Sequence, residues 1–196
     1  VVFLLRLAGN VKLWATPGCP SVSEVRPCRC DGCGAAAESG GRVVIQGHGV
    51  VTRQRLGPGA RGEAPQVALQ QVRRYRCVAC GRVMRVTHQG LLKGKHYGAG
   101  AIAEALGRWG LLREPAQRVR QALSPWRPGA ASTGWRSLQR WAEQAAEGRL
   151  WQAVATSLQA PVRALAERAA LVLASLTTSV EGGLMAQLWE AAMHAR

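Results

Sequence analysis

The sequence predicts an α+β chain, with a β-rich, cysteine-bearing segment followed by a helical bundle and an α-helical C-terminal tail. Three observations carry that expectation. Val-rich, partly alternating runs lie between residues 42 and 87. Apolar positions recur at helical spacing from about residue 98 onward. Two C-x-x-C pairs, each followed by glycine, bracket the β-rich stretch.

Residues 1–27 form an N-terminal lead containing Pro17, Pro20 and Pro27. Its opening VVFLLRLAG reads as a strand or short helix packed on the fold, because Arg6 interrupts it and no charged region precedes it. Residues 28–97 read as short strands and turns, with strands at 42–46, 50–56, 67–75 and 82–87. Gly47-His48-Gly49 and the Gly/Pro-rich 56–65 are the expected breaks. Residues 98–149 predict three helices. The first carries Ile102, Ala105, Leu106 and Trp109; the second opens at Pro115, whose fixed φ suits a first turn, and SPWRPG at 124–129 breaks it. The third follows Ser132 or Thr133, either able to cap free amides, and buries a stripe of Trp135, Leu138, Ala142 and Ala145. Residues 150–196 are Ala/Leu-rich, with one helix from Pro161 to about 176 and another after Gly182-Gly183.

Charge is unevenly placed along the 196 residues, whose formal net charge is +15. Residues 42–97 hold eleven basic groups against Glu63 alone, whereas residues 150–196 are neutral. Such an excess favours a polyanionic partner, here double-stranded DNA. Arginine predominates, and its planar fork suits phosphates and guanine edges; a GC-rich genome would favour it too. No stretch reaches the roughly 18 uncharged apolar residues of a membrane span. Paired cysteines without a signal peptide point to metal in a reducing cytoplasm rather than disulfides. A nucleoid-associated protein with no membrane and no small-molecule substrate is expected.

Cys30-Asp31-Gly32-Cys33-Gly34 and Cys77-Val78-Ala79-Cys80-Gly81 are the two knuckles. A two-residue gap lets both sulfurs of a tight turn face one ion, and the following glycine allows a left-handed backbone. Together they supply four thiolates, the closed tetrahedral set of a structural Zn2+ site. An iron–sulfur cluster can use the same four ligands, and one C-x-x-C alone can be a redox pair. Cys28 can substitute for Cys30, at the cost of a four-residue gap to Cys33. Cys19 reads as apolar filler, His48 as a turn residue, and His88 and His96 as solvated or phosphate-facing.

Catalytic signatures are missing. Asp31 is the single aspartate and sits inside a knuckle, and the ten glutamates are scattered. No carboxylate set for divalent-ion phosphoryl transfer is expected, and no Walker loop, G-x-S-x-G or HExxH occurs. Four thiolates also leave no open position for water. The chain is therefore not expected to be an enzyme.

The three helices at 98–149 predict a helix-turn-helix unit whose third helix enters the major groove. Arg136, Ser137, Gln139 and Arg140 are its candidate base contacts, since Arg pairs with guanine and Gln with adenine. Arg73, Arg74, Arg76, Arg82, Arg85, Lys93 and Lys95 are the candidate phosphate grips, which position without specifying sequence.

The run RRYRCVACGRVMRV…GLLKGKHYGAGAIAEAL, with the later SPWRPGAASTGWRSLQRW, resembles the zinc-ribbon and helix-turn-helix front end of bacterial insertion-sequence transposases and of free-standing uncharacterised proteins related to them. The resemblance spans about residues 11–150. It implies a zinc ribbon held by two C-x-x-C pairs, matching Cys30, Cys33, Cys77 and Cys80, and a role at a mobile element, in end recognition or regulation. The catalytic domain of full transposases has no counterpart here, so transposition is not expected of this chain. A homodimer or a transposase partner is a further expectation. The alternative is a protein-interaction adaptor, with the ribbon as scaffold and the C-terminal helices for dimerisation or docking. Thiol redox chemistry at Cys77 and Cys80 is the form an enzymatic role would take.

Overall fold

The structure, a computed structural model, describes residues 19–88, 90–126, 134–156, 159–177 and 182–195, together with the backbone of 3–7. The expected capping residues Ser132 and Thr133 lie outside the described residues, as does much of SPWRPG. The fold is α+β: a four-stranded sheet and a two-stranded ribbon precede five α-helices. No helix among the described residues is long and apolar enough to cross a membrane.

The strands are β1 (Phe3–Leu7), β2 (Glu38–Ser39), β3 (Arg42–Val43), β4 (Ile45–Gly57), β5 (Gln66–Cys77) and β6 (Val83–His88). The helices are α1 (Ala99–Gly110), α2 (Ala116–Leu123), α3 (Arg136–Ala146), α4 (Val162–Ser175) and α5 (Gly183–His194). The chain groups into two compact units. One comprises residues 1–55 and 68–91, the other 56–67 and 92–196. The connection between β4 and β5 groups with the helices.

In the first unit the sheet runs β1-β6-β5-β4. β1 lies parallel to β6, with Phe3 opposite Met84, and β5 lies antiparallel to β6, with Arg74 opposite Arg85. Alternation sends Tyr75, Met84 and Val86 to one face, where they form a small core with Val25, Ile45, Cys30 and Cys77. Tyr75 Oη donates to the Val22 carbonyl at 2.6 Å, which gives the phenol a partner and ties the lead to the sheet. The expected break at Gly47-His48-Gly49 is not a turn. β4 runs through it as one 13-residue strand, with His48 exposed. The glycines serve the strand itself. A Cβ at Gly47 would lie 2.9 Å from the Val22 side chain, and Gly49 sits at φ +82°.

The second unit is built around α1, in which ten of twelve residues are buried. A helix apolar on nearly every side needs neighbours all round, and α2, α3, α4 and α5 all pack on it. Its glycines allow the close approach. A Cβ on Gly100 would lie 2.4 Å from the Trp189 ring, and one on Gly110 would lie 2.5 Å from the Glu167 backbone nitrogen. The C-terminal helices are thus part of this core rather than an appendage: Leu165, Ala169, Leu173 and Leu188 are buried in it. Trp151 donates its indole N–H to the Ala192 carbonyl at 3.1 Å. Arg163 donates to the Trp109 carbonyl at 2.8 Å. Twelve residues separate α2 from α3, more than the three or four of a tight helix-turn-helix turn.

Candidate metal centre and basic surfaces

The second knuckle is itself the turn between β5 and β6: Cys77 ends one strand and Val83 begins the next. The first knuckle leads into the β2–β3 ribbon. The two share one hydrogen-bond pattern. The Cys30 carbonyl accepts from Gly34 N–H at 2.9 Å, and Cys77 accepts from Gly81 at 2.8 Å. Cys30 N–H donates to the Ala35 carbonyl at 2.8 Å, and Cys77 N–H donates to that of Arg82 at 2.9 Å. Gly34 and Gly81 take φ of +73° and +74°, the left-handed conformation anticipated for both. Val78 N–H, bonded to the Val44 carbonyl at 2.9 Å, holds the second knuckle against the chain leaving the first.

These turns bring the Sγ atoms of Cys30, Cys33, Cys77 and Cys80 within 4.8 Å of one another, and the set can hold a metal ion. Cys30 and Cys80 stand 3.7 Å apart, and Cys33 and Cys77 stand 3.8 Å apart. Disulfide sulfurs would be about 2.05 Å apart. A tetrahedron with Zn–S bonds of about 2.3 Å has edges of about 3.8 Å, so the separations fit a four-thiolate ion. The first cysteine of each knuckle is buried and the second exposed. Cys28 is exposed and outside the cluster, so the alternative ligand set is not the one assembled. No histidine or carboxylate joins another such group among the described residues.

The electrostatics of the cluster call for a cation. Burial opposes ionisation of Cys30, yet the N–H groups of Cys33 and Gly32 and the thiols of Cys80 and Cys33 outweigh it, bringing Cys30 down to about 7. Cys80 goes the other way. The Arg82 N–H favours its thiolate, but burial and the sulfurs of Cys33, Cys30 and Cys77 push it up to about 12. Four sulfurs this close cannot all ionise unless a positive ion shares their charge.

The predicted phosphate grips divide. Arg82 is turned inward: its guanidinium lies 3.6 Å from the Asp31 carboxylate, and its side chain covers Gly32, joining the two knuckles. Arg73 is half-buried on the core face, near Glu24 and Tyr75. Arg74, Arg76 and Arg85 share the opposite face. Lys93 is exposed. Lys95 is half-buried and donates its ammonium to Gln144 Oε1. Burial, then Arg140 and Arg149, hold its pKa below the ordinary lysine value.

The predicted base contacts lie on α3 as the stripe required. Arg136, Gln139 and Arg140 are exposed and Ser137 is half-exposed, while Leu138, Ala142 and Ala145 are buried. Trp135 is half-buried, and the missed Trp141 is buried beside it. With Tyr97 they pack edge-on, at centroid separations of 5.0–5.6 Å. Trp141 was detectable, standing three residues after Leu138 on the same stripe. Gln144 and Arg149 carried no such signal, because their role depends on Lys95 from a remote turn.

His88 departs from expectation. It is buried, not solvated, and its Nδ1 accepts the Gly90 N–H at 3.0 Å. Burial, reinforced by Arg55 and Arg53, lowers its pKa to about 4. His96 is exposed.

A comparison with family models, curated proteins and solved structures finds no match to the chain.

Proposed function

We propose that this is a non-catalytic, zinc-containing protein that binds double-stranded DNA, with α3 as the element that reads sequence and Cys30, Cys33, Cys77 and Cys80 holding a structural Zn2+. The observation that carries DNA binding is the division of α3. Its apolar half is locked by Leu138, Trp141 and Ala142, and its outer half presents Arg136, Gln139 and Arg140, which are exposed and form no ion pair with any of the described residues. A helix fixed on one side, with Arg and Gln on the other, has the chemistry of a major-groove reader. Lys93, exposed just ahead of α1, is a candidate phosphate contact. Zinc is favoured over other ions because two C-x-x-C turns offer four thiolates at tetrahedral spacing. When bound, the ion would neutralise the sulfurs and cross-link the knuckles. The resemblance to transposase front ends supports a role at a mobile element, as an end-recognition factor or regulator acting in the cytoplasm.

The test is selection from a random duplex pool by the zinc-loaded protein at near-physiological salt, where non-specific binding is weakened. Enrichment of one motif by the native protein, lost in the Arg136→Ala/Arg140→Ala double variant, is the expected result. Unchanged selectivity in that variant would remove α3 from the recognition role. A pool with no enrichment at all would leave the sequence-reading function without support.

A further inference from the structure

The sheet of the first unit carries three arginines that its own carboxylates do not neutralise. Arg74 and Arg85 are directly opposite each other on β5 and β6, and Arg76 lies two residues along on the same face. Like charges in direct cross-strand register destabilise a sheet, so their presence calls for a counter-charge. The unit's carboxylates are Glu24, Asp31 and Glu38, and each is committed elsewhere. Glu24 accepts the Ser21 N–H at 2.6 Å, Asp31 faces Arg82, and Glu38 pairs with Arg26 at 3.0 Å. No carboxylate lies within ion-pair distance of Arg74, Arg76 or Arg85 among the described residues. Arg76 and Arg85 are exposed and Arg74 is half-exposed. Further along the same face the Val72–Thr87 neighbours are buried, so the charged patch sits at the knuckle end of the sheet. Arg53 of β4 adds to the field: burial and then repulsion from Arg85 hold its pKa below the ordinary arginine value.

We propose that Arg74, Arg76 and Arg85 form a second DNA-contacting surface, a clamp on the phosphate backbone of duplex DNA that is separate from α3; this rests on the DNA-binding function proposed above. The partner is fixed by charge complementarity. Three guanidinium groups on adjacent strands suit a run of phosphates, and among the described residues of this unit the aromatic side chain, Tyr75, lies on the opposite face, away from any base that could stack. Contacts of this kind add affinity without sequence preference. Arg73 and Arg82, on the core face and in the knuckle, take no part.

The experiment measures the affinity of the zinc-loaded full chain for its selected duplex against salt concentration, for the native protein and for Arg74→Gln/Arg76→Gln/Arg85→Gln. Each phosphate contact contributes about 0.9 to the slope of log affinity against log salt, so the slope should fall by about 2 to 3. The selected motif should stay the same, and the melting temperature should hold or rise as the repulsion is relieved. The Lys triple at the same positions keeps the charge and should keep the slope. Arg168→Gln, an exposed arginine on α4, is the control and should leave slope and motif unaltered. Motif-specific binding with an unchanged slope in the Gln triple overturns the clamp and leaves α3 recognition standing. A native protein without affinity for DNA at low salt overturns both.

Discussion

Replacing His88 with glutamine should flatten the acid limb of the stability curve. The native imidazole is buried, accepts the Gly90 N–H through Nδ1, and faces Arg55 and Arg53. Protonating it in the fold would sacrifice that acceptor and place a third positive charge beside two others. The sign follows from linkage. The unfolded chain takes up the proton near the ordinary 6.5, while the folded chain resists until about 4. The stabilisation is therefore complete above the unfolded value and is lost as pH falls between those two points. At about 1.4 kcal/mol per pH unit the full loss is about 3 kcal/mol, of which about 2 kcal/mol is gone by about pH 5. The assay is urea unfolding of zinc-loaded protein, followed by tryptophan fluorescence, from about pH 8 to about pH 4.5. Thiolate protonation contributes to both proteins, so the difference between the native and His88→Gln curves isolates the imidazole. Parallel curves, whatever their vertical offset, would refute the assignment of His88 as a neutral buried acceptor.

Cobalt should substitute at the cysteine cluster and give the intense visible bands of a tetrahedral thiolate site. Cys28→Ser should leave the spectrum intact, whereas Cys30→Ser should weaken or shift it; equal effects would reopen the choice of ligand. Stripping the ion with a strong chelator should lower the unfolding midpoint, because a ligand held only by the folded chain stabilises it, and an unchanged midpoint after verified removal would deny the site a structural role. Gly110→Ala, at the last residue of α1, should destabilise by about 1–3 kcal/mol in thermal melts, although alanine is ordinarily the better helix former. The reason is that its Cβ would meet the Glu167 backbone, and a stabilised variant would mean that α1 and α4 do not pack so closely.

Local signals were the legible ones. The knuckles, the glycines at their ends and the starts of α2, α4 and α5 all depend on residues within a few positions of one another, and spacing alone revealed them. Metal-ligand geometry followed because a C-x-x-C turn leaves little conformational choice. Gly47-His48-Gly49 failed because glycine marks a turn and a strand closely approached by a neighbour equally well, and the nearby Val22 side chain is invisible in the local sequence. His88 failed because its burial is set by the fold, not by its polar neighbours in the chain. The division of the arginines was also hidden. Arg73 and Arg74 are adjacent in sequence, yet the pleat sends them to opposite faces, and only the register of β5 against β6 reveals which one meets Arg85.

The chain passes between its two compact units three times, at residues 55–56, 67–68 and 91–92. No single cut can therefore separate them. A fragment beginning after residue 91 would hold all five helices but lack Leu56–Val67, including Leu56, whose N–H is bonded to the His96 carbonyl at 2.9 Å. A fragment ending there would carry the connection between β4 and β5 without the helices it packs with. Neither unit is a contiguous stretch of gene that could be transplanted whole. Recombination that shuffles such elements would have to move ribbon and helices together, and a graft onto another chain would succeed only by circular permutation or by insertion of one unit into the other.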